Sequence, residues 1–320
     1  MTTPPPSQAA PPVASLTRLI DNIERVILGK REALTLAVVG LLAEGHILLE
    51  DVPGTGKTTL AQALARSVDA QFSRIQFTSD LLPSDVLGLS LPSGDSGELQ
   101  FRPGPLFANV VLADELNRTP PRVQSALLEA MHEGAVTIEG QRRPLPQPFL
   151  VIATQNPLEF AGTYPLPESQ LDRFLIRLRL GYPDRSAERA LMEAREQADP
   201  LDSLGPVVSA DELRRAIQDV RQVRMEPALL DYLLDVVRIT REDSAFALGA
   251  SPRAALGLRR ACQALALLEG RDFAIPDDVQ RLAPAVLAHR LVPTERMVLG
   301  LPGSVEDLLR ERMSEIEVPD

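Results

Sequence analysis

Continuous apolar runs interrupt the helical patterns in the first half of this 320-residue sequence. Three of them, residues 47–49, 110–113 and 149–154, are apolar or small at nearly every position and end at polar or turn-forming residues. Strands that are buried on both faces of a parallel sheet have this pattern, whereas half-buried strands alternate. Residues 72–77 and 171–176 indicate two further strands. The pattern therefore predicts an α/β fold built on a parallel sheet.

Helical patterns precede the first strand and fill the second half of the chain. Apolar residues between Leu16 and Ile27 fall on one helical face, and residues 32–42 predict a second helix. After Gly181-Tyr182-Pro183 the pattern is helical over residues 185–197, 210–223, 227–241, 252–268 and 276–288. Ser209 and Ser251 are typical N-cap residues for two of these helices. The sequence thus predicts a disordered, proline-rich tail (1–14), an α/β core (15–182), and a smaller all-α domain with a C-terminal tail (183–320).

Two segments between the predicted strands are candidates for functional insertions. Residues 81–106 are rich in proline and glycine and predict an irregular stretch, except that residues 98–102 alternate like one arm of a hairpin. Irregular stretches of this length are often functional. Residues 135–145 predict a β-hairpin with a partly basic tip. The alternative is that both segments are simply exposed connections.

Composition narrows the classes of protein. Hydrophobic residues make up 44% of the chain and charged residues 24%, which is ordinary for a globular protein. A net charge of −11 and an aromatic content of 4% argue against broad binding to nucleic acids, which requires basic or base-stacking surfaces. The sequence has no membrane-length apolar run and no secretory pattern. The single cysteine, Cys262, predicts a packed helix residue, so we expect a cytoplasmic protein.

Residues 51–58, called the phosphate loop below, lie between the first strand and a helix-forming run. Gly54 and Gly56 permit backbone conformations in which successive N–H groups converge on phosphate oxygens. The helix that follows points the positive end of its dipole at the same place. In this context Lys57 is expected to reach the β- and γ-phosphates, and the Thr58 hydroxyl to bind magnesium.

The match to the general phosphate-loop pattern has one departure. Asp51 occupies the position six residues before Lys57, where glycine is usual. The strand before the loop and the helix after it still favour nucleotide binding. We expect the nucleotide to contact Gly54, Thr55, Gly56, Lys57, Thr58 and Thr59.

Two adjacent carboxylates end the apolar run at residues 110–113. Side chains alternate along a strand, so Asp114 and Glu115 must have different roles at the edge where parallel sheets bind ligands. Asp114 is placed to complete the magnesium shell, and Glu115 to orient or deprotonate the attacking water. A simple strand cap is the alternative interpretation.

Two further groups are predicted to lie near this edge. Asn156 follows the strand at residues 149–154, where its amide could hold the attacking water or the γ-phosphate, although asparagine is also an ordinary turn residue. Val26, Ile27 and Gly29 lie just upstream of the phosphate loop and could form an apolar wall for a purine ring. Core packing explains the two apolar residues equally well.

Several motifs together resemble one known family. They are the phosphate loop, Leu112-Ala113-Asp114-Glu115-Leu116-Asn117-Arg118, Ala153-Thr154-Gln155-Asn156-Pro157, residues 166–174 and residues 249–254. The chain resembles the MoxR-like AAA+ ATPases, relatives of the ATPase subunit of magnesium chelatase, from about Leu16 to Val292. The resemblance implies an α/β nucleotide-binding core followed by a helical lid domain. It also implies ATP and Mg²⁺ as cofactors, and places the segments 83–105 and 135–145 at the pore or substrate face.

The resemblance assigns three further residues. Asn156 matches the sensor of the γ-phosphate, and Arg173 matches the arginine finger that reaches the nucleotide of a neighbouring subunit. Arg253 matches the lid arginine that contacts phosphates from the same chain. Arg118 and Arg122 are also expected near the subunit seam, so the choice of finger stays open.

The family resemblance implies a homo-oligomer, expected to be a hexameric ring, that remodels or matures a client protein. Partners with a von Willebrand factor A domain are implied as well. A nucleic-acid-stimulated motor is the alternative, disfavoured by the acidic net charge. A solitary kinase or GTPase is a third possibility, but the sequence has no Asn-Lys-x-Asp motif for guanine. The client and the number of subunits are not fixed by the sequence.

Overall fold

The computed structural model describes residues 13–93, 98–156, 162–195, 199–294, 297 and 303–319. Its strands are β1 (His46–Glu50), β2 (Phe72–Gln76), β3 (Gly88–Ser93), β4 (Glu98–Pro103), β5 (Val110–Asp114), β6 (Ala135–Ile138), β7 (Gln141–Pro144), β8 (Leu150–Gln155), β9 (Phe174–Leu178), β10 (Phe246–Leu248) and β11 (Val292–Pro293). Its α-helices are α1 (Val13–Glu24), α2 (Arg31–Leu42), α3 (Lys57–Ser67), α4 (Pro83–Leu87), α5 (Pro121–Glu133), α6 (Glu168–Leu171), α7 (Arg185–Arg195), α8 (Ala210–Val220), α9 (Pro227–Glu242), α10 (Pro252–Leu268), α11 (Pro276–Leu287) and α12 (Val305–Met313).

Five strands form one parallel sheet in the order β2-β5-β8-β1-β9. Alternate side chains of each strand enter two different apolar layers. Ile47, Leu49 and Leu112 pack with residues of α1–α3 on one face, and Leu48 and Val111 pack with residues of α5 on the other. Because both faces are covered at the central strands β1, β5 and β8, these strands are apolar at nearly every position, whereas the edge strand β2 is partly exposed and polar. The order of the strands confirms the predicted α/β fold with a parallel sheet.

The segment predicted to be irregular, residues 81–106, is more ordered than expected. Pro83 starts the short helix α4, since proline is tolerated in a first helical turn. Strands β3 and β4 then pair as an antiparallel hairpin, so the arm expected at residues 98–102 is confirmed and the irregular prediction is wrong for residues 83–93. Residues 94–97 of this segment lie outside the described residues. The hairpin predicted at residues 135–145 is formed by β6 and β7.

The two hairpins contact each other. Ser90 donates a hydrogen bond of 2.6 Å to the Glu139 carboxylate. The Arg143 guanidinium lies 4.0 Å from the centroid of the Phe101 ring, within the range of a cation–π interaction. The hairpins therefore form one projecting unit rather than two independent loops.

The helical part begins after β9 and agrees with the predicted pattern. Ser209 and Ser251 are N-caps, as predicted: their hydroxyls accept hydrogen bonds from the N–H groups of Glu212 and Ala254. Helix α10 packs on α1 and α2 as well as on α8, α9 and α11, so one apolar layer extends from the sheet into the helical part. The domain boundary between residues 182 and 183 stays a prediction.

The N-terminal tail was predicted over residues 1–14. Residues 1–12 lie outside the described part of the chain. Helix α1 begins at Val13, so the prediction is wrong for residues 13 and 14. Leu16 and Leu19 on the inner face of this helix are fully buried.

His46 at the start of β1 is buried and electrically neutral. Its Nδ1 accepts the Val151 N–H at 3.0 Å, so its Nε2 carries the proton and donates to the Met131 carbonyl at 3.0 Å. Burial lowers the pKa of His46 to about 4. Burial likewise lowers the pKa of His289 well below its ordinary value.

Because these histidines are buried and neutral, we expect the free energy of unfolding to fall in acid. Between pH 6.5 and 4 the unfolded chain binds a proton at His46 that the folded chain does not, so stability falls as the pH decreases. The loss is about 1.4 kcal/mol per pH unit, or about 2 kcal/mol from His46 by pH 5. Urea unfolding at pH 7 and pH 5 should show this decrease, and His46→Gln should reduce it. His132→Gln, which changes an exposed histidine, is the control. An equal free energy of unfolding at both pH values would contradict the prediction.

Candidate nucleotide site

The phosphate loop joins a fully buried strand to a helix. Strand β1 ends at Glu50, and α3 begins at Lys57. Gly54 and Gly56 have φ angles of +86° and +94°, a left-handed conformation that favours glycine. A Cβ at Gly54 would meet no atom within 4 Å, so the loop surface at this residue is open. The loop thus offers a turn of backbone amides and a helix N-terminus with room for phosphates.

The structure explains why residue 51 is an aspartate and not the usual glycine. Its carboxylate is buried and accepts three backbone hydrogen bonds, from Val52 (2.9 Å), Leu180 (2.8 Å) and Gly181 (2.7 Å). It therefore ties the phosphate loop to the chain that follows β9. The Asp51 carbonyl accepts a hydrogen bond of 2.8 Å from the Lys57 ammonium. Asp51 thus holds the loop in shape, which a glycine side chain could not do.

A cavity of about 250 Å³ opens beside the loop. Val26 and Ile27 line it, and the Ile27 side chain would lie 3.4 Å from a Cβ at Gly56. Their role as a wall for a purine ring stays a prediction. Gly29 is in the adjacent turn with a φ of +69°, outside the lining itself. The remaining lining residues are Leu28, Lys30, Gly54, Thr55, Gly56, Thr59, Gly181, Pro183, Glu188, Leu191 and Met192.

Sequence reasoning missed the wall of this cavity that α7 supplies. Glu188, Leu191 and Met192 come from this helix, which lies about 130 residues after the phosphate loop. The apolar stripe of the helix predicted after Pro183 could have indicated this wall, but packing of the helix on the rest of the protein explained the stripe equally well.

The whole sequence has two lysines, Lys30 and Lys57, and both belong to this region. Lys30 lines the cavity and Lys57 begins α3.

Asp114 is fixed at the end of β5. Its Oδ1 accepts a hydrogen bond of 2.7 Å from Thr154 on the neighbouring strand β8. Its Oδ2 lies 2.6 Å from a guanidinium nitrogen of Arg74 on β2. A carboxylate has about four acceptor positions, so these two contacts leave capacity for a cation.

Glu115 leaves the strand in a left-handed conformation, with a φ of +58°. Its N–H donates to the Thr154 hydroxyl at 2.9 Å, so this threonine holds both acidic residues. The Glu115 carboxylate accepts a hydrogen bond of 2.6 Å from Gln76 and lies 3.4 Å from the Arg118 Nε. The side chain is one-third exposed, whereas Asp114 is mostly buried. The two carboxylates therefore occupy different environments, as expected, but Glu115 follows the strand, so its left-handed backbone and not the alternation of strand side chains sets its direction.

Asn156 is buried directly after β8, which lies next to β5. The structure thus brings Asn156, Asp114 and Glu115 to the same carboxyl edge of the sheet as the phosphate loop. Pro157 of the same motif lies outside the described residues.

Among the described residues, no cluster of three or more histidine, cysteine or acidic side chains could enclose a metal ion. Mg²⁺ usually keeps several waters and binds one or two carboxylates together with substrate phosphates. The oxygen donors expected from the sequence, Thr58 in the first turn of α3 and Asp114 at the end of β5, are of the type that Mg²⁺ prefers.

Arg173 and Arg253 lie at the opposite edge of the sheet. They line a cavity of about 300 Å³ together with Gly45 and His46, at the start of β1. Strand β1 has five residues, so roughly 16 Å separates this edge from the phosphate loop. The structure places Arg253 at this amino edge, where the start of α10 packs beside Asp172, and not beside the phosphate loop of its own chain. Its contact with phosphates stays a prediction.

Models of known protein families match both parts of this architecture. The family model described as "ATPase family associated with various cellular activities (AAA)" matches residues 46–176, and the model "AAA lid domain" matches residues 238–311. A candidate ATPase from Cytophaga hutchinsonii has a crystal structure that superposes with a TM-score of 0.89 at 35% identity, over 96% of each chain. Among the described residues, no helix combines the length and apolar composition that crossing a membrane requires.

Individual relatives identify the branch of the family to which the chain belongs. The chain is 48% identical to uncharacterized protein YeaC of Bacillus subtilis (strain 168) over 95% of each chain. It is 43% identical to "Chaperone MoxR1" of Mycobacterium tuberculosis, over 90% of this chain and 81% of that protein. It is 29% identical to "Protein MoxR" of Methylorubrum extorquens over 93% of each. From the fold, the motifs and these relatives, the chain belongs to the MoxR-like AAA+ ATPases.

Proposed function

We propose that this chain binds ATP with Mg²⁺, hydrolyses it as part of an oligomeric ring, and uses the energy to remodel or mature a client protein. One observation carries the proposal: the phosphate loop, both acidic residues and Asn156 meet at one edge of the sheet, while two arginines line a cavity at the other. The first group suits the nucleotide of its own chain. The second suits the nucleotide of a neighbour.

ATP occupies the cavity beside the phosphate loop in this proposal. Val26 and Ile27 provide an apolar wall for the adenine, and the turn at Gly29 brings α7 close to complete the cavity. The Lys57 ammonium exchanges the Asp51 carbonyl for the β- and γ-phosphates. The amides around Gly54, Thr55 and Gly56 and the side chains of Thr58 and Thr59 complete the contacts.

Thr58 and Asp114 are the residues that would hold Mg²⁺. The ion, when bound, neutralises charge on the phosphate oxygens. The Arg74–Asp114 contact and the Thr154 hydrogen bond keep the Asp114 carboxylate oriented toward this edge.

Glu115 is the proposed base for the attacking water, and Asn156 the proposed sensor of the γ-phosphate. A base must be within hydrogen-bond reach of the proton that it removes. In this structure Gln76 and Arg118 hold the Glu115 carboxylate, so hydrolysis requires that at least one of these contacts be exchanged for the water.

Assembly follows from the position of the arginines. A guanidinium stays protonated and offers a planar set of donors to phosphate oxygens, which makes it the suitable group for a finger. Arg173 at present donates a hydrogen bond to the Leu128 carbonyl. We propose that Arg173 and Arg253 both reach the nucleotide of the adjacent subunit in a ring, expected to be hexameric, and this replaces the same-chain role first expected for Arg253.

The two hairpins are the proposed contact with the client. Leu89, Leu91 and Leu99 are exposed on the β3–β4 hairpin, and in this proposal they make apolar contacts with the client. The name of the mycobacterial relative includes "Chaperone". A partner with a von Willebrand factor A domain and a cytoplasmic location complete the proposal.

Lys57→Ala should weaken ATP binding by about 3 kcal/mol, or about 100-fold, because it removes a charge-assisted contact to the phosphates. Calorimetric titration with a non-hydrolysable ATP analogue measures this loss. Arg238→Ala on the exposed face of α9 is the control, since its partner is Glu242 far from the cavity. Unchanged affinity in Lys57→Ala would refute the phosphate-loop assignment.

Glu115→Gln should bind ATP normally but hydrolyse it at least about 100-fold more slowly, because an amide fills the same space and cannot accept the proton. The measurement is the rate of phosphate release at saturating ATP, with nucleotide affinity determined in parallel. The ATP-bound variant should also retain client in a pull-down. A normal rate of phosphate release would exclude Glu115 as the base.

Mixing inactive variants tests the trans arginines. Arg173→Ala and Arg253→Ala should each bind ATP but lose hydrolysis, since a finger in trans contributes about 10³- to 10⁵-fold to the rate. Adding Lys57→Ala subunits, whose arginines are intact, should restore part of the activity. Lys57→Ala mixed with Glu115→Gln is the control: both residues act on the nucleotide of their own chain, so no complete site forms. If mixed rings assemble and the arginine mixtures stay inactive, the arginines do not act in trans.

A further inference from the structure

A single carboxylate connects the supports of the two proposed trans arginines. Asp172 immediately precedes Arg173 at the start of β9. The Ser251 hydroxyl lies 2.9 Å and 3.1 Å from its two carboxylate oxygens. The Nε of Arg290, which follows α11, lies 3.1 Å from the Asp172 Oδ1. Three distant segments of the chain therefore meet at this carboxylate.

Ser251 continues the connection to Arg253. It is the N-cap of α10, and its oxygen accepts the Ala254 N–H at 3.1 Å. Arg253 lies within this first helical turn, between the two residues that make the cap. The positions of the Arg173 and Arg253 backbones are thus related through one carboxylate and one hydroxyl.

Arg290 makes this connection rigid. Its side chain is only 4% exposed, and its guanidinium donates to the carbonyls of Asp172, Phe174 and Val286. Burial lowers the pKa of Arg290 to about 10, so the side chain remains positively charged at neutral pH. Arg290 thus holds the Asp172 backbone by a hydrogen bond to its carbonyl, and its Nε lies at ion-pair distance from the carboxylate without making a hydrogen bond to it.

The same contacts leave Arg173 and Arg253 without a carboxylate partner among the described residues, although Arg173 donates a hydrogen bond to the Leu128 carbonyl. Glu44, the other carboxylate that lines the cavity, lies 2.7 Å from Arg221 and 3.2 Å from Arg260. Asp172 is engaged by Arg290 and Ser251. In the part of the chain that the structure describes, no carboxylate forms an ion pair with Arg173 or Arg253. Both guanidiniums therefore line the cavity without a counter-charge from the protein.

We propose that Asp172, Ser251 and Arg290 form a latch that fixes Arg173 and Arg253 as one unit for the neighbouring subunit's nucleotide. The latch rests on the proposed trans role of these arginines. Asp172 and Ser251 are positioning residues, since they act through the two arginines and do not touch the nucleotide. Misplacing a reacting or charge-stabilising group by about 1 Å can cost 100-fold in rate, so a loosened latch lowers hydrolysis without emptying the site.

Ser251→Ala tests the latch better than a change at Asp172. Removing the Asp172 carboxylate would leave the buried Arg290 charge uncompensated and endanger folding. Ser251→Ala removes only the hydroxyl between Asp172 and α10. Ser209→Ala is the matched control, because Ser209 caps α8 in the same way and its hydroxyl contacts only its own capping box.

Ser251→Ala should lower kcat about tenfold with unchanged KM for ATP, and Ser209→Ala should leave both unchanged. The decisive experiment repeats the mixture of Arg173→Ala and Lys57→Ala subunits with Ser251→Ala added to one of them. In the Lys57→Ala subunit, which donates the arginines, it should reduce the restored activity about tenfold. In the Arg173→Ala subunit, which supplies the intact site, it should have no effect.

The outcomes separate the latch from the function on which it rests. Restored activity that is insensitive to Ser251→Ala in either subunit overturns the latch and leaves the trans arginines standing. An equal reduction from both placements assigns Ser251 a general structural role and also overturns it. A parent mixture that shows no restored activity refutes the trans role and the latch together.

Discussion

Burial of the central strands β1, β5 and β8 on both faces is the constraint on which the rest of this structure depends. Neither face can accept unpaired polar groups, because each would lose its hydration without compensation. The chemistry of the chain is therefore confined to the two ends of the strands. Asp114, Asn156 and the phosphate loop follow strand ends at the carboxyl edge, and Arg173 precedes a strand at the amino edge.

The two edges differ in charge. The carboxyl edge combines acidic residues with a loop suited to phosphates, whereas the amino edge presents guanidiniums whose neighbouring carboxylates are already paired. In the proposed ring, the arginine edge of one copy faces the nucleotide edge of the next, and head-to-tail contacts of this type generate rings when the rotation closes. In this proposal, assembly and hydrolysis depend on the same seam.

Polar side chains of neighbouring strands hold Asp114 and Glu115 in fixed positions. Thr154 contacts Asp114 through its proton and Glu115 through its oxygen, and Gln76 reaches Glu115 from the edge strand β2. Asp51 has a comparable role on the other side, where it joins the phosphate loop to residues 180–181. The site is thus held by residues whose roles become visible only when the strands are adjacent.

The sequence by itself determined the α/β class, the strands of the parallel sheet, the hairpin at residues 135–145, one arm of the other hairpin, and the helix caps at Ser209 and Ser251. These features depend on local periodicity and turn chemistry, which lie within a few residues of one another. The sequence could not decide where α10 packs, because that depends on apolar surfaces far apart in the chain. Only the tertiary structure placed Arg253 beside Arg173 at the amino edge, brought Met192 to the nucleotide cavity, and gave Asp51 its backbone partners. Each of these outcomes results from long-range packing, which strand and helix patterns do not encode.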